Sequence, residues 1–143
     1  MPTLPWTDLR PSTPPEKRVR VMASRLEVRS LRHVPGFLAA SLRLWRQARG
    51  APGAIGVALR AEPLRRTFWT VSAWEDDGAI RAYAAAEPHR SAMRRKRAVM
   101  RGSDFVFWDA AAADLPVSWE EVERRIAEHR ARNDARAGTG TAA

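Results

Sequence analysis

An α+β fold built in the order strand, helix, strand, strand, helix, strand is predicted by three features of the chain. Four short segments, 18–29, 54–61, 68–74 and 104–109, carry period-two or continuous apolar patterns rich in Val, Ile, Phe and Trp. Two longer stretches between them, 33–49 and 78–101, carry apolar residues at helical spacing. Proline, glycine and acidic residues punctuate the joins. At 143 residues, one domain is expected, with a core that forms without staples.

Taken in order, residues 1–17 hold Pro2, Pro5, Pro11, Pro14 and Pro15, too many missing N–H donors for a regular element, so an extended N-terminal arm is expected, with Trp6 and Leu9 able to dock it. The domain proper then spans 18–109. Its first strand places Val19, Val21, Ala23 and Arg25 on one face and Arg20, Met22, Ser24 and Leu26 on the other. In the helix that follows, Phe37, Leu38, Ser41, Leu42, Trp45 and Ala48 form a stripe opposite Arg43, Arg46 and Arg49. Pro35 suits its first turn, and Gly50 with Pro52 supplies the stop, the glycine by accepting a left-handed backbone.

The second strand is expected to set Ile55, Val57 and Leu59 on one side. Phe68, Thr70, Ser72 and Trp74 alternate with Trp69, Val71 and Ala73 in the third, and both faces are apolar enough for a central strand. Asp76 or Asp77 can cap the next helix. Pro88 stops or kinks that helix and belongs in the first turn of a second one, where His89 sits. Gly102 closes this element, and Phe105, Val106, Phe107 and Trp108 form the fourth strand. Residues 110–132 read as a linker and a C-terminal helix opened by a capping box, Ser118 with Glu121. The apolar stripe of this helix is thin, namely Trp119, Val122 and Ile126, which suits a sheet edge or a neighbouring subunit. Residues 133–143 are expected to be disordered.

Composition removes several chemistries. Without cysteine there is no disulfide, thiolate nucleophile or cysteine metal site. The three histidines, His33, His89 and His129, lie in separate segments without ligand spacing, so no metal site is expected. No phosphate-cradling glycine loop and no G-x-S-x-G elbow occurs. No basic start followed by an apolar run opens the chain, and no 18-residue apolar run occurs, so a cytoplasmic protein without membrane insertion is expected. The formal charge of +9 is almost all arginine, only Lys17 and Lys96 being lysine. This fits a GC-rich composition better than a nucleic-acid binder, although the helix from 88 to 101 contains no acidic residue and is the best polyanion patch in the sequence.

Two groups of residues can carry function. His89 has an ordinary pKa near 6.5 and can take a proton at neutral pH or ligate an iron, provided it faces a pocket; otherwise it ties the broken helix in place. Phe68, Trp69, Trp74, Tyr83, Met93 and Trp108 either line an apolar cavity suited to a flat guest or form a packed core.

The runs W-T-V-S-A-W-E-D, A-I-R-A-Y and E-P-H-R-S-A-M, within about residues 19–108, resemble the antibiotic-biosynthesis monooxygenase-like and spheroidene-monooxygenase-like proteins of the dimeric α+β barrel superfamily. The resemblance implies a ferredoxin-like βαββαβ unit that pairs as a homodimeric α/β barrel, here with an extra C-terminal helix. It implies an oxygenase acting on an aromatic or polyene metabolite, either without a cofactor or with haem. Trp74 matches the tryptophan of the family's strand motif, which makes it, with His89, an implied catalytic residue. His89 then becomes the proton acceptor or haem ligand, and Tyr83, Trp69, Ser24, Arg25 and Met93 the substrate contacts. In the haem-degrading branch, Met93 falls where the axial histidine stands, Tyr83 at a tryptophan and Ser24 near an asparagine, so degradation of that type is not implied. A non-catalytic dimeric ligand-binding or accessory protein has the same architecture, and an arginine-driven nucleic-acid binder stands third.

Overall fold

The computed structural model describes the backbone of residues 3–87 and 89–141 and side chains as far as residue 136. Five strands form one antiparallel sheet: β1 (Thr3–Asp8), β2 (Arg18–Val28), β3 (Ala54–Glu62), β4 (Thr67–Trp74) and β5 (Met100–Ala111), in the order β1-β3-β4-β2-β5. Set aside β1 and the order is that of a ferredoxin-like unit, with the predicted strand-helix-strand-strand-helix-strand sequence. Helix α1 (Val34–Arg49) crosses from β2 to β3, and α2 (Asp77–Ala85) with α3 (His89–Lys96) crosses from β4 to β5. A last helix, α4, runs from Trp119 to Thr141.

The termini of these helices follow from their residues. Pro35 stands in the first turn of α1, where its missing N–H costs nothing. The Asp76 carboxylate accepts the Ala79 N–H at 2.9 Å and caps α2. Pro88, expected in the first turn of α3, lies outside the described residues. Gly50 ends α1 with φ −100°, so the left-handed turn expected of it is instead made three residues later by Gly53, at φ 83°.

Alternation sorts the sheet into two faces. Facing α1, α2 and α3 are Met22, Ser24 and Leu26 of β2, Val57, Leu59 and Ala61 of β3, and Phe68, Thr70, Ser72 and Trp74 of β4. On the opposite face Val19, Val21, Ala23, Ala58, Trp69, Val71, Val106 and Trp108 form one apolar cluster. Ile55 belongs to this second cluster and not beside Val57 and Leu59 as expected. A bulge between Ala54 and Gly56 inserts one residue and breaks the alternation there.

The predicted thin stripe of α4 is a core element. Val122 and Ile126 are 0% and 2% exposed and pack, with Val117, on the second face of the sheet. This helix therefore covers the apolar face of the sheet that α1, α2 and α3 leave open. The Ser118 hydroxyl accepts the Glu121 N–H at 3.2 Å, whereas the Glu121 carboxylate pairs with Arg125 at 2.9 Å. Helix α4 extends as far as Thr141, its residues 130–136 exposed, and residues 142–143 lie outside the described residues.

The proline-rich N-terminal segment does contain a regular element, which its prolines were expected to prevent. Its residues 3–8 form the edge strand β1 on β3, where a proline at an edge loses no ladder bond it needs. Trp6 lies against Gly56, and a Cβ at that glycine would overlap the indole.

Candidate functional site

Between the helical layer and the sheet lies a cavity of about 120 Å³. Its floor is the β-sheet, with Met22 and Ser24 from β2, Val57 and Leu59 from β3, and Thr70, Ser72 and Trp74 from β4. Trp45 and Leu44 of α1 form one wall; Tyr83 of α2 with His89 and Met93 of α3 forms the other. Phe105, which lines the cavity and is 37% exposed, marks the side on which it approaches the surface.

Most of the polar atoms around this space already have partners. Ser24 Oγ and Thr70 Oγ1 share a hydrogen bond of 2.5 Å. The Trp74 indole donates to Ser72 Oγ at 2.7 Å, and its fully buried ring stacks at 5.0 Å on Tyr83. The Tyr83 hydroxyl donates to the Leu44 carbonyl at 2.9 Å and ties α2 to α1. Burial pushes its pKa above the ordinary tyrosine value, so it stays a neutral phenol.

Two buried atoms are exceptions: Trp45 Nε1 and His89 Nδ1 have no hydrogen-bond partner. Buried polar groups are paired in the great majority of cases, so an unpaired indole donor and an unpaired imidazole nitrogen bordering one cavity are a chemical signal. The His89 ring meets the Tyr83 ring edge-on at 4.7 Å. Burial lowers its pKa below 6.5, partly offset by hydrogen bonding to the Ala84 backbone. Near neutral pH the imidazole is therefore uncharged and can accept a proton.

The fold brings together five of the sequence candidates, His89, Trp74, Tyr83, Ser24 and Met93. The other two, Trp69 and Arg25, sit on the opposite face of the sheet, because odd-numbered positions of β2 and β4 point away from the helices. There the Arg25 guanidinium lies 5.6 Å from the centre of the Trp69 ring, and the Trp69 indole donates to buried Glu62 at 2.5 Å. Sequence reasoning placed Trp45 in the apolar stripe of α1 without assigning it a role. No sequence signal marks it, because an indole N–H in such a stripe can pair with a nearby hydroxyl or carbonyl, and Ser41 stands one turn away in the same stripe.

Haem is a poor fit to this space. The His89 nitrogen is a suitable donor, yet the hollow it faces is well below the roughly 300–1,000 Å³ of sites that hold drug-sized ligands or cofactors. Among the described residues no group of three or more His, Asp or Glu side chains could hold a metal ion.

No protein-family model matches the sequence, and no curated protein matches it. Solved structures do match. A variant of SnoaB, a cofactor-independent oxygenase from Streptomyces nogalater, is 20% identical over 71% of this chain and 99% of its own, with a TM-score of 0.55. An antibiotic biosynthesis monooxygenase is 19% identical over 65% of this chain and 98% of its own, TM-score 0.57. A Deinococcus radiodurans protein proposed to be such a monooxygenase is 13% identical over 69% and 99%, TM-score 0.60. The likeness establishes the ferredoxin-like α+β fold shared with these monooxygenase structures; at these identities it is a likeness of fold.

Proposed function

We propose that the chain is a small oxygenase that works without a cofactor and draws an electron-rich aromatic ring, or the ring end of a polyene, into the cavity between sheet and helices. The observation that carries this reading is the unpartnered pair at its wall, a neutral buried imidazole nitrogen and an indole N–H. A cavity of about 120 Å³ is comparable to the engineered 150 Å³ cavity that binds benzene, so it matches one ring.

In this reading His89 Nδ1 removes a proton from an activated C–H or O–H of the bound ring, and Trp45 Nε1–H donates to the oxygen on which negative charge develops. The resulting carbanion or phenolate passes an electron to dioxygen, the two radicals combine as a peroxide, and loss of water leaves a carbonyl. For a methylene carbon the balance is one CH2 and one O2 consumed, one C=O and one H2O formed. Trp74, Met93 and Leu59 exclude water, which strengthens the hydrogen bonds to the anion. Trp74 and Tyr83 are walls, since both spend their donors on the protein.

The fold likeness to a structure described as a cofactor-independent oxygenase agrees with this chemistry. The test is oxygen uptake by purified, colourless protein supplied with a single-ring phenolic compound. His89→Ala should abolish turnover while the compound still binds. A haem absorption band in active protein would refute the cofactor-free reading. Tight binding of the ring without oxygen uptake would favour a ligand-binding protein.

A further inference from the structure

The positive charge of the chain is segregated in space. Segments 31–49 and 77–99, which make up the helical layer, hold ten of the 25 Lys and Arg residues and two of the 16 Asp and Glu, leaving fifteen and fourteen elsewhere. A compositional bias toward arginine would not sort itself in this way. Elsewhere at least nine of the fifteen cations are in ion pairs among the described residues, for example Arg20 with Asp77 and Asp109, or Arg130 with Asp104. Among the described residues none of the ten helical-layer cations has an acidic partner within ion-pair distance, and nine are exposed, Lys96 being half-buried. Fixed cations left unneutralised on one layer create a directed field.

Two further features lie on this side. A notch of about 330 Å³ between α1 and α3 is floored by small residues and rimmed by Arg43, Arg95 and Lys96. It is open because Gly36 has no side chain, and the Lys96 ammonium lies 3.2 Å from where its Cβ would be. Where α3 gives way to β5, Phe105 and Phe107 are exposed on the helical face of the sheet, 37% and 46%, and Phe105 borders the cavity. Phe105 shares its cavity with His89 and Met93 of α3, the helix that carries Arg94, Arg95 and Lys96, whereas the cation over Phe107 is Arg20, already paired with Asp77 and Asp109. Unpaired cations on the helical layer, with exposed aromatics on the same side of the sheet, are the combination that suits an interface between charged headgroups and hydrocarbon. No described helix is long and apolar enough to cross a membrane, so the contact is peripheral.

We propose that the α1/α3 layer is a docking surface for an anionic phospholipid bilayer, with a headgroup phosphate seated in the Arg43–Arg95–Lys96 notch and Phe105 and Phe107 touching the acyl boundary. Nucleic acid would meet the same charges but gives no account of an apolar cavity opening beside them.

The test is co-sedimentation of the full chain with vesicles of phosphatidylcholine alone or mixed with phosphatidylglycerol. Binding to the mixed vesicles is expected, and it should fall as added salt shortens the Debye length. Each cation near an anionic surface contributes about fivefold, so Arg94→Ala, Arg95→Ala and Arg97→Ala together should cost roughly a hundredfold in partitioning. Lys17→Ala, Arg124→Ala and Arg132→Ala together remove the same net charge from elsewhere and should change it little. Phe105→Ser with Phe107→Ser should weaken binding at unchanged charge. Equal loss in the two triple variants, binding to neutral vesicles alone, no vesicle binding, or release from mixed vesicles by single- or double-stranded DNA at matched phosphate would each overturn the proposal.

Discussion

Replacing Ile126 by alanine removes three carbon atoms from the layer between α4 and the sheet, where the side chain is 2% exposed among Val19, Val21 and Trp108. At about 0.8 kcal/mol per buried methylene the lost transfer energy is about 2.4 kcal/mol. The cavity that remains where the surroundings do not collapse raises the expected destabilisation to about 3–4 kcal/mol, within the range measured for large-to-small core exchanges. With a denaturant slope of about 2 kcal/mol per molar urea, the unfolding midpoint should drop by roughly 1.5–2 M. Urea titrations of both proteins, each at two protein concentrations, make the measurement. A shift below about 0.5 M would mean that Ile126 is not buried between α4 and the sheet, and a midpoint that rises equally with concentration in both proteins would report association through another surface.

Three further outcomes are expected. Because burial holds the folded His89 pKa below the unfolded value near 6.5, stability is full above pH 6.5 and is lost as pH falls through the lower folded value. Relative to His89→Gln, the wild type should therefore lose stability on acidification, and parallel curves would remove burial as the cause. Trp45→Phe keeps a ring in the wall but deletes an unpartnered donor, so folding stability should hold or rise by up to about 1 kcal/mol while affinity for a ring-bearing phenol falls about three- to tenfold. Gly56→Ala should displace Trp6, with a cost of about 1–3 kcal/mol and faster amide exchange confined to β1; unchanged indole fluorescence would contradict the packing described.

The order of strands and helices was legible because each element announces itself locally: alternation in β2 and β4, a 3.6-residue stripe in α1, an Asp cap before α2. Where the expectation failed, a long-range contact decided. Of the five prolines in residues 1–17 only Pro5 falls within residues 3–8, which weakens a central strand but not an edge strand, and only the slot left by Gly56 shows that Trp6 has somewhere to go. The stripe of α4 is thin as a pattern, yet two side chains suffice when the sheet beneath offers a continuous apolar face. Five of seven candidate site residues converge because their parity along β2 and β4, or their place at the α2/α3 break, puts them toward the helices. Arg25 and Trp69 were separable from the others by the same parity, which the strand pattern already contained. Trp45 shows the remaining limit: no pattern in a sequence says which buried donor will lack an acceptor.

The small hollow has a consequence for selectivity. If the guest is an extended molecule, its tip alone is held while the remainder projects past Phe105. Regiochemistry would then be decided by how far the molecule can slide in before Trp74 and Val57 stop it, as a depth gauge does, rather than by recognition of its whole outline. Enlarging the stop, with Val57→Ala, should move the oxidised position one carbon further from the end.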